Sequence, residues 1–217
     1  YLKIDKWLVF GGSWGSSLAL CYGIEYPDRV LGFILRGLFL CSRHELDWFL
    51  DGIKTVFPKE WEDFRNFLPN NEREEILNSY FERLINTDAD IHGPAACAWT
   101  NFEAACSTLL PQVYRKMEPN SGQRFLALAR IEAHYFKNRF FLSDNYFYKN
   151  LDKIIRIPAT VVQGRYDMVC PMVTAYDLVE RWPKAKLIVI PDAGHSAMDP
   201  SLKSGLIATT EYFKENL

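Results

Sequence analysis

Three residues far apart in the chain carry side chains that could together open an acyl bond: Ser13, Asp167 and His195. Ser13 lies in Gly11-Gly12-Ser13-Trp14-Gly15, a Gly-x-Ser-x-Gly pattern. Glycines beside a serine also build ordinary surface turns, so the pattern needs a structural context. The β-forming run Trp7 to Phe10 precedes it, and Trp14 to Tyr26, with the small-residue stretch Ser16-Ser17-Leu18-Ala19-Leu20, reads as a helix. Ser13 is therefore expected on a sharp strand-to-helix turn that lifts its hydroxyl clear of the backbone. The same turn brings the Trp14 amide to the helix start, where it could donate to an acyl oxyanion. Gly11 and Gly15 are expected to let neighbouring backbone pass close by.

Two later loops offer partners. Gly164-Arg165-Tyr166-Asp167 follows a predicted strand, and Asp192-Ala193-Gly194-His195-Ser196 follows another, Leu187 to Pro191. His195 would take the Ser13 proton, and Asp167 would hold the imidazole tautomer and stabilise the imidazolium. Singly, each has a plainer fate: Asp167 as a turn cap before Pro171, His195 as a surface loop residue. Jointly, all three fall at the C-terminal ends of predicted parallel strands, where open α/β sheets place their sites. Their order, Ser then Asp then His, is that of an α/β-hydrolase.

The elements that must position them form an α/β core interrupted once. Trp7 to Phe10, Val30 to Arg36, Pro158 to Gly164 and Lys186 to Ile190 read as strands, with helices at Trp14 to Tyr26, Val173 to Arg181 and Leu202 to Glu215. Between the halves lie aromatic-rich helical segments at Glu45 to Val56, Glu72 to Ile85, Pro94 to Leu109 and Gln123 to Phe136. The expected fold class is α/β: a mostly parallel sheet, the second half of an α/β-hydrolase core, with an inserted helical cap. The expected divisions are 1–41 and 151–217 for the core and 42–150 for the cap.

Composition narrows the partners. With 217 residues, 48% hydrophobic, the chain can bury a sizeable core. A net charge of −2 without a basic cluster argues against nucleic acid or an anionic membrane surface. No apolar run approaches the ~20 residues of a membrane span. The five cysteines lack the close pairings of zinc or redox motifs, and the four histidines have no metal-binding spacing. The expectation is a cytoplasmic protein acting on small molecules or peptides, with no metal and no cofactor.

Gly11-Gly12-Ser13-Trp14-Gly15-Ser16, Arg36-Gly37-Leu38-Phe39, Gly164-Arg165-Tyr166-Asp167-Met168-Val169-Cys170-Pro171 and Gly194-His195-Ser196 resemble segments of the prolyl aminopeptidases, also called proline iminopeptidases, of the α/β-hydrolase superfamily. The resemblance implies release of N-terminal proline from peptides, with Ser13 as nucleophile, Asp167 as orienting acid and His195 as base.

The cap carries the evidence for substrate choice. Trp99, Glu103, Cys106 and Leu110 fall at helical spacing, as do Phe125, Leu128, Glu132 and Tyr135, so each mainly apolar stripe holds one carboxylate. Burying such a group is costly unless it meets a cation or donors. A bound ammonium would serve both; edging to solvent or to Arg130 is the plainer reading. The resemblance implies that Glu103 and Glu132 bind the substrate's α-amino group. Phe102 stands where the family usually has tryptophan, which would alter the pocket wall. The resemblance further implies that Phe39 and Cys170 line the proline pocket; core packing and an inert buried thiol are the alternatives. Arg36 ends a strand near the site and is expected to belong to the substrate-binding set, pairing with a cap carboxylate, or else to form a structural salt bridge.

Members of this family begin with several strands and a His-Gly-Gly-Pro-Gly loop that supplies a second oxyanion donor. His92-Gly93-Pro94 is only superficially like it and lies within the cap. The chain, which starts at Tyr1 without methionine, is thus expected to be an N-terminal truncation, with the absent segment or a second chain completing it. Losing one oxyanion donor typically costs ~10²–10³ in turnover. The alternatives to a prolyl aminopeptidase are another α/β-hydrolase such as an esterase or amidase, an inactive fragment, and a non-enzymatic binding module.

Overall fold

The computed structural model describes residues 3–110 and 123–217. These fall into two compact units, one made of Tyr1–Ser42 with Asp144–Leu217, the other of Arg43–Ser143.

The first unit holds a four-stranded sheet in the order β1-β2-β3-β4, with β1 at Trp7–Gly12, β2 at Val30–Arg36, β3 at Ala159–Gly164 and β4 at Ala185–Ile190. Every neighbouring pair is parallel. The two inner strands explain their own position. Val-Leu-Gly-Phe-Ile-Leu-Arg in β2 and Ala-Thr-Val-Val-Gln-Gly in β3 are near-continuous apolar or β-branched runs, as a strand covered on both faces requires. All six residues of β3 are buried. Helix α1, Trp14–Glu25, leaves β1 after a single residue, and α8 (Met172–Glu180) and α9 (Pro200–Asn216) pack on β3 and β4. Leu202, Leu206 and Phe213 of α9 close over Ile34, Val162 and Ile190. A further one-turn helix, α7 at Tyr146–Lys149, was not anticipated from sequence. Among the described residues, no helix is long and apolar enough to cross a membrane.

The second unit is helical: α2 at Arg43–Leu50, α3 at Pro58–Asn66, α4 at Ile76–Ile85, α5 at Ala89–Cys106 and α6 at Gln123–Lys137. Its centre is a set of rings. Phe64 stacks on Tyr80 at 4.4 Å and on Phe102 at 4.5 Å, with Trp99 edge-on to both Phe64 and Tyr80 at 5.8 and 5.6 Å. Such pairs add about 0.5–1.5 kcal/mol each beyond area burial. Phe102 thus belongs to the unit's aromatic core.

Helix α5 starts five residues before the proline that marked its expected start. Asp88 caps it by accepting from the Asp90 amide at 2.9 Å, and Pro94 is carried inside. His92 lies in the same helix with Nδ1 2.9 Å from the Asn86 carbonyl. The helix ends at Cys106, so Leu110 lies beyond it, 72% exposed, and leaves the expected stripe; Leu128 of the other stripe is 46% exposed.

Candidate active site

Ser13 is the one residue between β1 and α1, and the turn it makes is sharp enough to strain it. Its backbone has φ 55° and ψ −127°, a region that side-chain-bearing residues rarely enter. Three hydrogen bonds hold it there. Its N–H donates to the Arg36 carbonyl at 2.8 Å, and its carbonyl accepts from the Ser16 amide at 2.8 Å and the Ser16 hydroxyl at 2.6 Å. A Cβ on Gly11 would run into the Gly15 carbonyl, so Gly11 is required by close packing. Gly15 differs from expectation: among the described residues a Cβ there would meet nothing within 4 Å. Trp14 opens α1, so its amide lies among the donors at the helix start.

The Ser16 hydroxyl also accepts from the Phe39 amide at 3.1 Å, while Ser17 Oγ donates to the Phe39 carbonyl at 2.7 Å. These two buried serines fix the segment after β2, including Phe39, which is 9% exposed.

Asp167 and His195, 28 residues apart, meet at the ends of β3 and β4. Nδ1 of His195 lies 2.9 Å from Oδ2 and 3.0 Å from Oδ1 of Asp167. The carboxylate is supported from behind: the Cys170 amide donates to Oδ1 at 2.8 Å and Gln163 Nε2 to Oδ2 at 3.1 Å. Gln163 is itself fully engaged, since Nε2 also donates to the Cys170 carbonyl at 2.8 Å and Oε1 accepts from the Leu38 amide at 3.1 Å. On the His195 side, the Gly194 amide donates to buried Asp199 at 2.8 Å. Sequence reasoning missed Gln163 and Asp199; a polar side chain inside an apolar strand was the available signal for the first.

Gly37, also missed, sits against this pair with φ +52°. A Cβ there would lie 2.8 Å from His195 Cε1, 2.9 Å from Nδ1 and 3.2 Å from Asp167 Oδ2.

Arg36 departs from expectation. Its Nη1 lies 3.1 Å from His195 Nε2 and donates to the His195 carbonyl at 2.9 Å. Burial lowers the proton affinity of its guanidinium, partly offset by Asp167 and Cys170. Among the described residues, no hydrogen bond joins Ser13 Oγ to the imidazole; the Nε2 position is taken by Arg36.

In the helical unit, Glu132 accepts from Trp99 Nε1 at 2.8 Å. Desolvation and then the charge of Glu103 hold the Glu132 carboxyl well above the ordinary glutamate range, opposed by the Trp99 bond, and a hydrogen bond with Glu103 keeps the proton on Glu132. Arg130 goes elsewhere, its Nη2 donating to the Asn86 carbonyl at 3.1 Å. Two carboxyls sharing one proton carry a net negative charge and a surplus of acceptors, which suits an ammonium group. Cys106, from the same stripe, is inert: burial pushes its thiol up to about 12, with Glu60 and Glu103 adding to the rise.

The Glu132 proton has a measurable consequence. The folded state holds it more tightly than the unfolded chain, so its contribution to stability is full below the ordinary value of 4.5 and is lost as pH rises through the raised folded value. Glu132→Gln should flatten this decline, read as urea midpoints across the pH range. A wild-type slope preserved in the variant would show that the proton is not held there.

A sequence profile described as the alpha/beta hydrolase fold matches residues 1–201. The protein belongs to the α/β-hydrolase family. Its similarity to curated members is specific: 46% identity to a proline iminopeptidase of Arabidopsis thaliana, 45% to a probable proline iminopeptidase of Leptolyngbya boryana and 38% to one of Neisseria gonorrhoeae. These alignments cover 99%, 98% and 97% of this α/β-hydrolase and 57%, 67% and 67% of the relatives. The chain therefore spans between about half and two thirds of the length of the relatives it matches. Solved structures agree on the fold. An α/β-hydrolase enzyme from a Medee basin deep-sea metagenome library superposes with a TM-score of 0.60 at 18% identity, over 98% of this chain and 66% of that one. An esterase from Exiguobacterium antarcticum gives 0.55 at 17%, over 98% and 68%.

Proposed function

We propose that this α/β-hydrolase is a serine aminopeptidase that releases N-terminal proline from peptides, with Ser13, His195 and Asp167 as its nucleophile, base and orienting acid. The carrying observation is the Nδ1 bond of His195 to a doubly supported Asp167. It favours the ring proton on Nδ1, so that Nε2 keeps a lone pair, which faces Arg36 at rest and takes the incoming proton in the reaction. Ser13 Oγ attacks the proline carbonyl carbon and its proton passes to Nε2. The tetrahedral oxyanion accepts from the Trp14 amide. His195 then protonates the leaving amine, the C–N bond breaks, and water, deprotonated by His195, releases proline from the acyl-enzyme.

Substrate choice is assigned to Glu103 and Glu132, which take the ammonium of a free N-terminus in place of their shared proton, and to Phe39 and Cys170, which contact the pyrrolidine ring. Similarity to proteins named proline iminopeptidases supports this reading. No disulfide joins the five cysteines, which supports a reducing, cytoplasmic setting.

Glu103→Gln tests the assignment. It should lower kcat/KM for a proline amide about 30-fold, the loss expected for one charge-assisted partner of a buried ammonium, while leaving a simple acyl ester unaffected. Equal losses on both substrates, or none on either, would contradict a role in amine recognition and favour a general esterase.

A further inference from the structure

The Arg36 guanidinium lies where a nucleophilic serine must deliver its proton. Nη1 stands 3.1 Å from His195 Nε2, and the same nitrogen is pinned by donating to the His195 carbonyl at 2.9 Å. The rest of the group lies over the residue preceding Ser13: a Cβ on Gly12 would be 2.6 Å from Nη2 and 2.8 Å from Nε. Meanwhile the Arg36 carbonyl accepts from the Ser13 amide at 2.8 Å. One residue thus holds the backbone of the proposed nucleophile and the ring of the proposed base.

Guanidinium is a donor only, so its contact with Nε2 requires a lone pair there. Nδ1 then carries the ring proton and donates a hydrogen bond to Asp167, the tautomer acyl transfer needs. The arrangement also has a cost. Nε2 has a single lone pair, and while Arg36 uses it the Ser13 hydroxyl cannot. An imidazolium, with hydrogen on Nε2, would face the Arg36 N–H groups head-on, like charge against like charge.

We propose that Arg36 is a latch on the general base. It sets the His195 tautomer while the site is at rest and withholds Nε2 from Ser13 until the guanidinium finds another acceptor. Carbonyl oxygens of a bound peptide have the required chemistry. The inference rests on the reading of Ser13 and His195 as nucleophile and base, and it makes Arg36 a positioning residue acting through His195, in addition to the substrate contact expected from sequence.

A fluorophosphonate probe separates the latch from substrate binding, because it needs no free amine. In its reaction the Ser13 Oγ–P bond forms, the P–F bond breaks, fluoride leaves and the hydroxyl proton passes to Nε2. Arg36→Met removes the competing donor at similar length, and its second-order labelling rate should rise about tenfold, the value of one charge-assisted hydrogen bond. Unchanged or slower labelling of a folded Arg36→Met protein would overturn the latch. A second measurement needs no variant: in wild-type protein carrying ¹⁵N-histidine, the unprotonated His195 Nε2 should resonate at the position of a hydrogen-bonded acceptor. Resonance at the free lone-pair position would overturn it too. Failure of the wild-type protein to label Ser13 at all would instead count against the underlying nucleophile assignment, with the nitrogen spectrum still testing the latch.

Discussion

Asp167→Asn should lower kcat by about 10⁴ while leaving the fold intact. The reason lies in what surrounds the carboxylate. Its two oxygens accept from three donors: His195 Nδ1, the Cys170 amide and Gln163 Nε2. An asparagine has one acceptor oxygen and one NH₂ group for the same places. If the NH₂ group faces Cys170 or Gln163, donor meets donor. If it faces the ring, Nδ1 must become the acceptor and the ring proton moves to Nε2, where it can no longer receive the Ser13 proton. Either arrangement damages the base, and the second abolishes it. A steady-state comparison at the optimum pH checks this, with a melting curve to show that the variant is folded. A loss below tenfold in a folded variant would mean that the Asp167–His195 bond does not direct catalysis.

Gly37→Ala should cost two to three orders of magnitude in kcat/KM and about 1–2 kcal/mol in stability. Two effects coincide at this position. A φ of +52° is strained for any residue with a Cβ. The added carbon would also press on His195 Cε1 and Nδ1 at 2.8 and 2.9 Å, and Asp167 is not free to retreat, since Gln163 and the Cys170 amide hold the carboxylate. The ring must therefore tilt away from the nucleophile, and displacements on the order of 1 Å at such a site cost ~10² in rate. Wild-type turnover in Gly37→Ala would show that the loop after β2 yields and does not brace the base.

The sheet was legible in the sequence because its strands announce themselves. Val30–Arg36 has the bounds read from its apolar run, and the strands before Asp167 and before His195 lie where periodicity put them. Burial on both faces leaves little room for another reading of such runs. The helical unit was less legible. Helix α3 has only Trp61 and Phe64 as large apolar groups within a charged stretch, and its weight in the fold comes from stacking of Phe64 on rings from α4 and α5, which no local pattern reveals. The same limit applies to the site. Asp167 and His195 could be paired because each follows a strand. The Arg36 contact with Nε2, the Gln163 brace and the Gly37 contact depend on side chains from β2, β3 and the loop after β4 converging, and the spacing of residues within any one of them is silent about that.

The most direct measurement is hydrolysis of a chromogenic N-terminal-proline amide by this chain, run beside its N-acetylated twin and the Ser13→Ala variant. Turnover of the free amine that is lost in Ser13→Ala, with little or none on the acetylated substrate, is the expected result. Equal turnover of the free and acetylated amides, or activity that survives Ser13→Ala, would contradict the assignment of an amine-selective serine aminopeptidase.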